Sequence, residues 1–320
     1  MLEISLIIPL KNEDDTVEAL INSIKNQTFQ PAMVILVDGG STDDTISLIK
    51  KLVSDDKKYK LIETGNAMPG KGRNIGAEQA DTEWIAFTDA GINLDNRWLE
   101  NLTQKAISNT DTDIVYGNYS PYIQTFFEKC ATFCYVPPLR NGNIRAKSIV
   151  SCLLKRQVWK DVGGFPDWRA AEDLNFIEKV EAKKFKTVFE PKAFVYWSLQ
   201  PGFKSTYKKF ELYSMHNVWN GLQSRWHYGI LKQYLVMLFF VAVGIFYTPI
   251  GFLAIPSWLI ARAIKRIFSH RQEFGDINII KPRVILMVIL ITVVIDIATF
   301  SGWIRAIITQ RENSKISLWV

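Results

Sequence analysis

Histidine and cysteine are scarce in this chain, with three of each among 320 residues. The three cysteines (Cys130, Cys134 and Cys152) lack framework spacing, which excludes a disulfide-stapled secreted domain. Cys130 and Cys134 stand four apart and fit one helix face. Two small apolar residues in a core are a far commoner reading of that pair than a metal site. The scattered histidines offer no His-rich metal site either. No basic stripe with interleaved aromatics occurs early in the chain, so a nucleic-acid partner is not expected. Internal repeats and low-complexity linkers are absent too. The N-terminus, MLEISLIIPL, has no basic n-region and no small-residue cleavage site. It reads as a strand and not as a signal peptide, which puts the first domain in the cytosol.

Charge is missing over two long stretches near the other end. None occurs from Gln233 to Ala261, and Val284 to Ile304 contains only Asp296. A membrane span needs about 20 apolar residues, so spans are expected near 230–247, 249–264 and 284–305, with turns at Thr248-Pro249 and Pro256. The formal net charge of +6 is concentrated beside these runs, at Arg262, Lys265, Arg266, Arg271, Lys281 and Arg283. Such flanks suit anionic lipid headgroups. A single crossing by the first run would place that basic loop outside, against the positive-inside bias; a hairpin returns it to the cytosol. The expectation is an integral membrane protein with one hairpin and one further span. Asp296 inside the last span is a functional-site candidate, and pairing with a neighbouring helix is the alternative. Residues 201–229 are aromatic and basic (Tyr207, Lys208, Lys209, Phe210, Tyr213, Trp219, Arg225, Trp226) and suit an interfacial helix or a solvated one.

Before residue 200 the pattern is that of a soluble α/β domain. ISLIIPL (4–10) is an apolar, β-branched run and predicts a buried strand. Val17, Leu20, Ile21 and Ile24 have helical spacing within 15–26, with Asp14 or Asp15 placed to cap. VILVD (34–38) predicts a second strand, and Ser41 three residues before Asp44 predicts a capping-box start for a helix through Leu52. YKLIE (59–63), a helix over 73–80 and WIAFTD (84–89) continue the alternation. DIVYG (113–117), SIVSCLL (148–154), a helix over 172–184 and one or two strands in 186–197 follow. Such alternation predicts a parallel sheet covered on both faces, with ligands beyond the carboxyl ends of its strands. Polar residues stand at those ends: Pro9, Asn12 and Glu13; then Asp38-Gly39-Gly40; then Asp89-Ala90-Gly91.

Four segments, SLIIPLKNE, VDGGSTDDT, GKGRNIGAEQADTEWIAFTDAG and GGFPDWRAAEDLNF, follow one another in an order and spacing that resembles family 2 glycosyltransferases with the GT-A fold. The likeness extends over residues 3–200. It implies a Rossmann-like mixed α/β sheet for nucleotide-diphospho-sugars, followed by C-terminal transmembrane helices. The chain then divides into a catalytic domain (1–200), an interfacial connector (201–229) and a membrane region (230–320). By this resemblance Pro9, Glu13, Asp38, Gly40, Arg73 and Asp89 bind the nucleotide-sugar. Asp38 accepts a base N–H, Glu13 holds a base-contacting position, and Arg73 offers a guanidinium to the nucleotide. A turn aspartate before Gly-Gly is the plainer reading of Asp38. Glu172-Asp173 matches the family's Glu-Asp motif. Asp173 is thereby the implied base of an inverting transfer and Glu172 its support, a role compatible with acids at a helix N-terminus. A polyprenyl-phosphate acceptor, already ionised, would need no base.

Asp89 stands where the family carries an Asp-X-Asp pair that grips a divalent metal on the diphosphate. Mg²⁺ or Mn²⁺ would suit such oxygen ligands. Gly91 replaces the second aspartate, and Trp197 stands where many members have a histidine. Asp89 is then the implied ligand, with water, diphosphate oxygens, Asn93 or Asp95 completing the shell. The implied partners are a nucleotide-sugar donor, a lipid-linked or glycan acceptor and the membrane, as in cell-envelope glycan biosynthesis. A non-catalytic membrane scaffold is the rival reading, resting on Gly91 and Trp197. Two motifs fall short: Gly65 to Gly72 follows a Walker A loop until Gly72 replaces its Ser/Thr, and Gln223-Ser224-Arg225-Trp226 is one residue short of the Gln-X-X-Arg-Trp signature of processive synthases.

Overall fold

A computed structural model of the chain describes residues 2–139, 143–270, 273–274 and 281–316, with side chains up to 309. Arg271, one of the six basic residues of the 262–283 loop, lies outside the described residues. The chain forms two compact units, one from Met1–Tyr122 with Asn141–Ser198, the other from Ile123–Arg140 with Leu199–Val320.

In the first unit β1 (Ile4–Leu10), α1 (Val17–Lys25), β2 (Met33–Asp38), α2 (Thr45–Val53), β3 (Tyr59–Glu63), α3 (Pro69–Gln79) and β4 (Trp84–Phe87) alternate. They are followed by β5 (Ile92–Leu94), α4 (Trp98–Ser108) and β6 (Ile114–Tyr122). After α5 (Phe126–Thr132), which belongs to the second unit, come β7 (Cys152–Lys155), α6 (Arg156–Val162), α7 (Glu172–Ala182) and β8 (Thr187–Ser198). The eight strands make one sheet in the order β3-β2-β1-β4-β7-β6-β8-β5.

All seven residues of β1 are buried, as a strand covered on both faces requires. Its period-two alternation sorts them. Ile4, Leu6 and Ile8 pack with α1 (Leu20, Ile24), Ile49 of α2 and Trp98 of α4. Ile7 joins Ala77 of α3, Trp159 of α6 and Phe176 of α7 on the other face. The run of neighbouring parallel strands expected from the alternation extends over β3-β2-β1-β4 and stops there. Strand β7 runs antiparallel to β4 and β6, β8 is parallel to β6, and β5 is antiparallel to β8. The mixed sheet is the one the family resemblance implies.

Two predicted caps are not formed. Helix α2 begins at Thr45 after Asp44, without a side-chain cap, because the Ser41 hydroxyl donates to Asp38 instead, at 2.5 Å. Helix α1 likewise begins at Val17 after Thr16, and neither Asp14 nor Asp15 caps it.

In the second unit α8 (Phe203–Trp219) and the short α9 (Gln223–Trp226) precede α10 (Tyr228–Phe246), a 3₁₀ turn (Pro249–Leu253), α11 (Ala254–Ser269) and α12 (Pro282–Ile316). Among the described residues two helices are long and apolar enough to cross a membrane, α10 and the stretch Pro282–Thr309 of α12. Helix α11, covering most of the span expected at 249–264, has only 16 residues and carries Arg262, Lys265 and Arg266. Asp296 is paired: both of its oxygens accept from Arg262 of α11, and Oδ2 also accepts from the Tyr234 hydroxyl of α10 at 2.8 Å. Glu211 of α8 likewise meets Arg305 at 3.1 Å and the Ser301 hydroxyl at 2.8 Å on α12. Gln223 accepts from the Trp303 indole at 3.1 Å, a packing role for the residue that opens the incomplete synthase signature. Cys130 is buried within this unit, and burial pushes its thiol up to about 12.

The approach of α3 to the sheet is close enough to need glycine. A Cβ on Gly76 would lie 2.3 Å from Ile7 Cγ2. Gly76→Ala gains about 1 kcal/mol in helix propensity but overpacks the core at a cost of about 1–3 kcal/mol. The variant should therefore unfold at a lower temperature in detergent; a raised midpoint would contradict this packing.

Candidate active site

The loops after β1 and β2 are sewn together. The Asn12 backbone N–H donates to the Ser41 hydroxyl at 2.9 Å, and the Asn12 side-chain oxygen accepts from the Thr42 N–H at 2.8 Å. Asn12 takes a left-handed backbone, φ 56°, one that asparagine tolerates. The Glu13 N–H donates to Thr45 Oγ1 at 2.7 Å, and its carboxylate accepts from the Thr16 hydroxyl at 2.5 Å. Pro9, paired with Val37, lies buried one residue before the end of β1.

Asp38 closes β2 and is almost fully buried. Its carboxylate accepts from the Gly40 N–H (2.8 Å), the Ser41 N–H (3.1 Å) and the Ser41 hydroxyl (2.5 Å). The turn reading of Asp38 is thus realised in its hydrogen bonds. Gly40 has φ +87°, and a Cβ there would meet the Gly65 carbonyl oxygen at 2.0 Å, so only glycine fits that turn.

Arg73, Asp89 and Glu172, far apart in sequence, converge. Arg73 on α3 donates through Nη2 to Asp89 Oδ1 at 2.5 Å and through Nη1 to Glu172 Oε1 at 2.8 Å. The arginine side chain is 3% exposed, Glu172 8% and Asp89 32%, so the bridge runs from the interior to the surface of the site. The guanidinium also lies 5.5 Å from the centre of the Phe165 ring, which stacks on Phe176 of α7 at 4.1 Å. Burial alone would lower the Arg73 pKa, but Asp89 and Glu172 outweigh it and raise it. Burial raises the Glu172 carboxyl above the ordinary glutamate range, and Arg73 offsets part of that rise. Asp173, next on α7, is half-buried, its carboxylate accepting from the Leu174 N–H at 2.8 Å.

Residues 5–147 match the model of glycosyl transferase family 2. That segment is thus similar to the family 2 glycosyltransferases. It is 36% identical over 118 residues to an uncharacterized glycosyltransferase of Haemophilus influenzae, covering 37% of this chain and 47% of that protein. Over 120 residues it is 36% identical to the GalNAc(5)-diNAcBac-PP-undecaprenol beta-1,3-glucosyltransferase of Campylobacter jejuni, covering 37% of this chain and 38% of that one. The chain thus spans less than half the length of these two relatives. The UDP-Glc:alpha-D-GlcNAc-diphosphoundecaprenol beta-1,3-glucosyltransferase WfaP of Escherichia coli is 26% identical over 246 residues, which are 75% of this chain and 93% of that enzyme. The crystal structure of S. aureus TarS 1-349 in complex with UDP-GlcNAc aligns with a TM-score of 0.51 at 17% identity, over 98% of this chain and 92% of that one, and shows the shared GT-A fold.

GT-A glycosyltransferases commonly use a divalent metal, and the donor set of this domain fits a protein-held one poorly. Asp89 is the one carboxylate left of the pair, and Arg73 already occupies its Oδ1. Gly91 brings no ligand, and the Trp197 indole has a donor N–H only. Among the described residues no three His, Cys, Asp or Glu side chains gather to hold a metal ion.

Sequence reading missed two positioning residues. Asn74, directly after Arg73 in the GKGRN motif, accepts from the Trp159 indole and the Phe165 N–H, both at 2.9 Å, and donates to the Phe165 carbonyl at 2.8 Å. It fixes the loop that carries Phe165 under the guanidinium. Ala171, with φ 63°, supplies a left-handed turn immediately before Glu172; a non-glycine residue there has no signature in a single sequence. The apparent Walker A loop dissolves, since Gly70, Lys71 and Gly72 lie inside α3.

Removing one member of a buried ion pair strands the others. Arg73→Met should cost about 3–5 kcal/mol of stability. Adding Glu172→Gln should recover part of that loss, because the orphaned buried charge goes with it. Thermal unfolding of both variants checks this; a double variant no more stable than Arg73→Met would show that the pair does not carry the effect.

Proposed function

We propose that this chain is an inverting glycosyltransferase that moves one sugar from a nucleotide-sugar to a lipid-linked acceptor at a membrane. The observation that carries the reading is the Glu172–Asp173 pair at the start of α7, tied through Arg73 to Asp89 in a family 2 domain. The acceptor hydroxyl attacks the anomeric carbon from the face opposite the diphosphate. Asp173, its carboxylate reachable from solvent, takes the hydroxyl proton as the new C–O bond forms. The bond from the anomeric carbon to the diphosphate breaks, and the nucleoside diphosphate leaves. Glu172 stays fixed against Arg73 and orients the start of α7. Pro9, Glu13, Asp38 and Gly40 form the nucleotide side of the site, where Asp38 contributes through the turn it holds.

A hydroxyl acceptor on a lipid carrier is supported by relatives from C. jejuni and E. coli, whose names specify glucosyl transfer to sugars on diphosphoundecaprenol. Helices α10 and α12 support a membrane location. We read α10 and α11 as the hairpin and α12 as the further membrane helix, with the catalytic domain in the cytosol. Confining enzyme and acceptor to one surface raises their effective concentration, a use for the apolar helices in an enzyme whose donor is soluble.

The test is nucleotide release by detergent-purified protein, offered UDP-, GDP- and dTDP-sugars with and without a lipid extract. Release should depend on one donor and on the lipid. Asp173→Asn should lower turnover by about 10²–10⁴-fold, the usual size of a general-base contribution, while donor binding persists. Undiminished turnover in that variant would instead favour an acceptor that is already ionised, as in a polyprenyl-phosphate glycosyltransferase.

A further inference from the structure

We infer that this chain binds the diphosphate of its donor without a resident divalent metal, because Arg73 has taken over as the charge partner of Asp89. The inference rests on the nucleotide-sugar reading above. A hard cation held by substrate phosphates still draws on one or two protein carboxylates. At this site the available one is already bound, its Oδ1 2.5 Å from the Arg73 guanidinium. That guanidinium is 3% exposed and anchored on its other side by Glu172, so it does not swing aside as a surface arginine would. A dication on the remaining Asp89 oxygen would sit within a few ångströms of a fixed positive charge, and the two would repel. Arg73 also has one group left over. Its Nε is buried and has no hydrogen-bond acceptor among the described residues.

The position that removes the metal is Gly91. A Cβ built there meets one neighbour within 4 Å, Glu13 Oε2 at 4.0 Å, and the glycine has no left-handed backbone to protect. Space for a Cβ is therefore available, and a side chain can leave the backbone at this position without a clash at its first carbon.

Binding linkage makes this measurable apart from turnover. A metal that binds the nucleotide-bound protein better than the free protein must tighten nucleotide binding by the same factor. The full-length, detergent-purified protein is titrated with UDP, GDP and dTDP by calorimetry, once with Mn²⁺ and once with EDTA. The dissociation constant of the preferred nucleotide should change by less than about fivefold between the two conditions. A larger tightening by Mn²⁺ would overturn the inference and leave the transferase reading intact. No binding of any nucleotide in either condition would remove the transferase reading and this inference with it. Gly91→Asp should bind the same nucleotide more tightly with Mn²⁺ than with EDTA, by more than that factor. A Gly91→Asp protein that folds, binds nucleotide and stays indifferent to Mn²⁺ would overturn the assignment of Gly91.

Discussion

One buried guanidinium between two carboxylates organises the site. Arg73, Asp89 and Glu172 come from α3, from the loop after β4 and from the first turn of α7. Moving a charged group out of water costs several kcal/mol per ion, and the cost is offset only when geometry and hydrogen bonding are good. Arg73 satisfies that condition on two sides and rests near the face of Phe165 on a third. Each acid needs the arginine as much as the arginine needs them. Without it Glu172 would be a lone carboxylate with its side chain 8% exposed, where ionisation is disfavoured. The consequence for chemistry is that the start of α7, which carries Asp173, is registered against the end of β4 by an ion-pair bridge and not by loop conformation alone.

The same bridge explains which parts of the site were legible in the sequence. Strands β1 to β4 could be read because each is a short apolar run followed by polar residues, and their parallel pairing sets those polar ends side by side. The motif residues could be named for the same reason. Their partners could not be. Nothing in the order of residues says that Arg73 spends its hydrogen bonds on protein carboxylates, whereas the turn at Asp38 could be read from the Gly-Gly that follows it. The antiparallel β7 and the three-residue β5 were also hidden, the first because direction leaves no mark on a buried strand, the second because three residues carry no period. The two failed caps have one cause. Ser41 and the acids near Thr16 stand at loops that are hydrogen-bonded to one another, and that competition outweighs local capping.

The second unit solves a similar problem with a different set of side chains. Asp296 lies in the middle of an apolar helix, where an unpaired carboxylate is costly. Arg262 and Tyr234 satisfy it from two other helices, so the acid joins α10, α11 and α12. Sequence reading could mark Asp296 as unusual but could not choose between function and pairing, since the partner lies 34 residues away on another helix. The pairing also accounts for one charge on α11, that of Arg262. The charge of Arg262, whose side chain is 16% exposed, is spent inside the unit.

Ala171 shows how strain and ion pairing act together at the first unit's site. A left-handed backbone at a non-glycine residue costs about 1–2 kcal/mol, and such strain persists only where neighbouring structure over-determines it. Here that structure is on both sides. Phe165, held by Asn74 and stacked on Phe176, fixes the loop before the turn. The salt bridge from Glu172 to Arg73 fixes the residue directly after it. With the turn locked between them, the first residues of α7 have little freedom to rotate, and the orientation of Asp173 follows from contacts it does not itself make. In the proposed transfer Asp173 acts from a position set for it, with Glu172 bearing the burial and the charge pairing that set it.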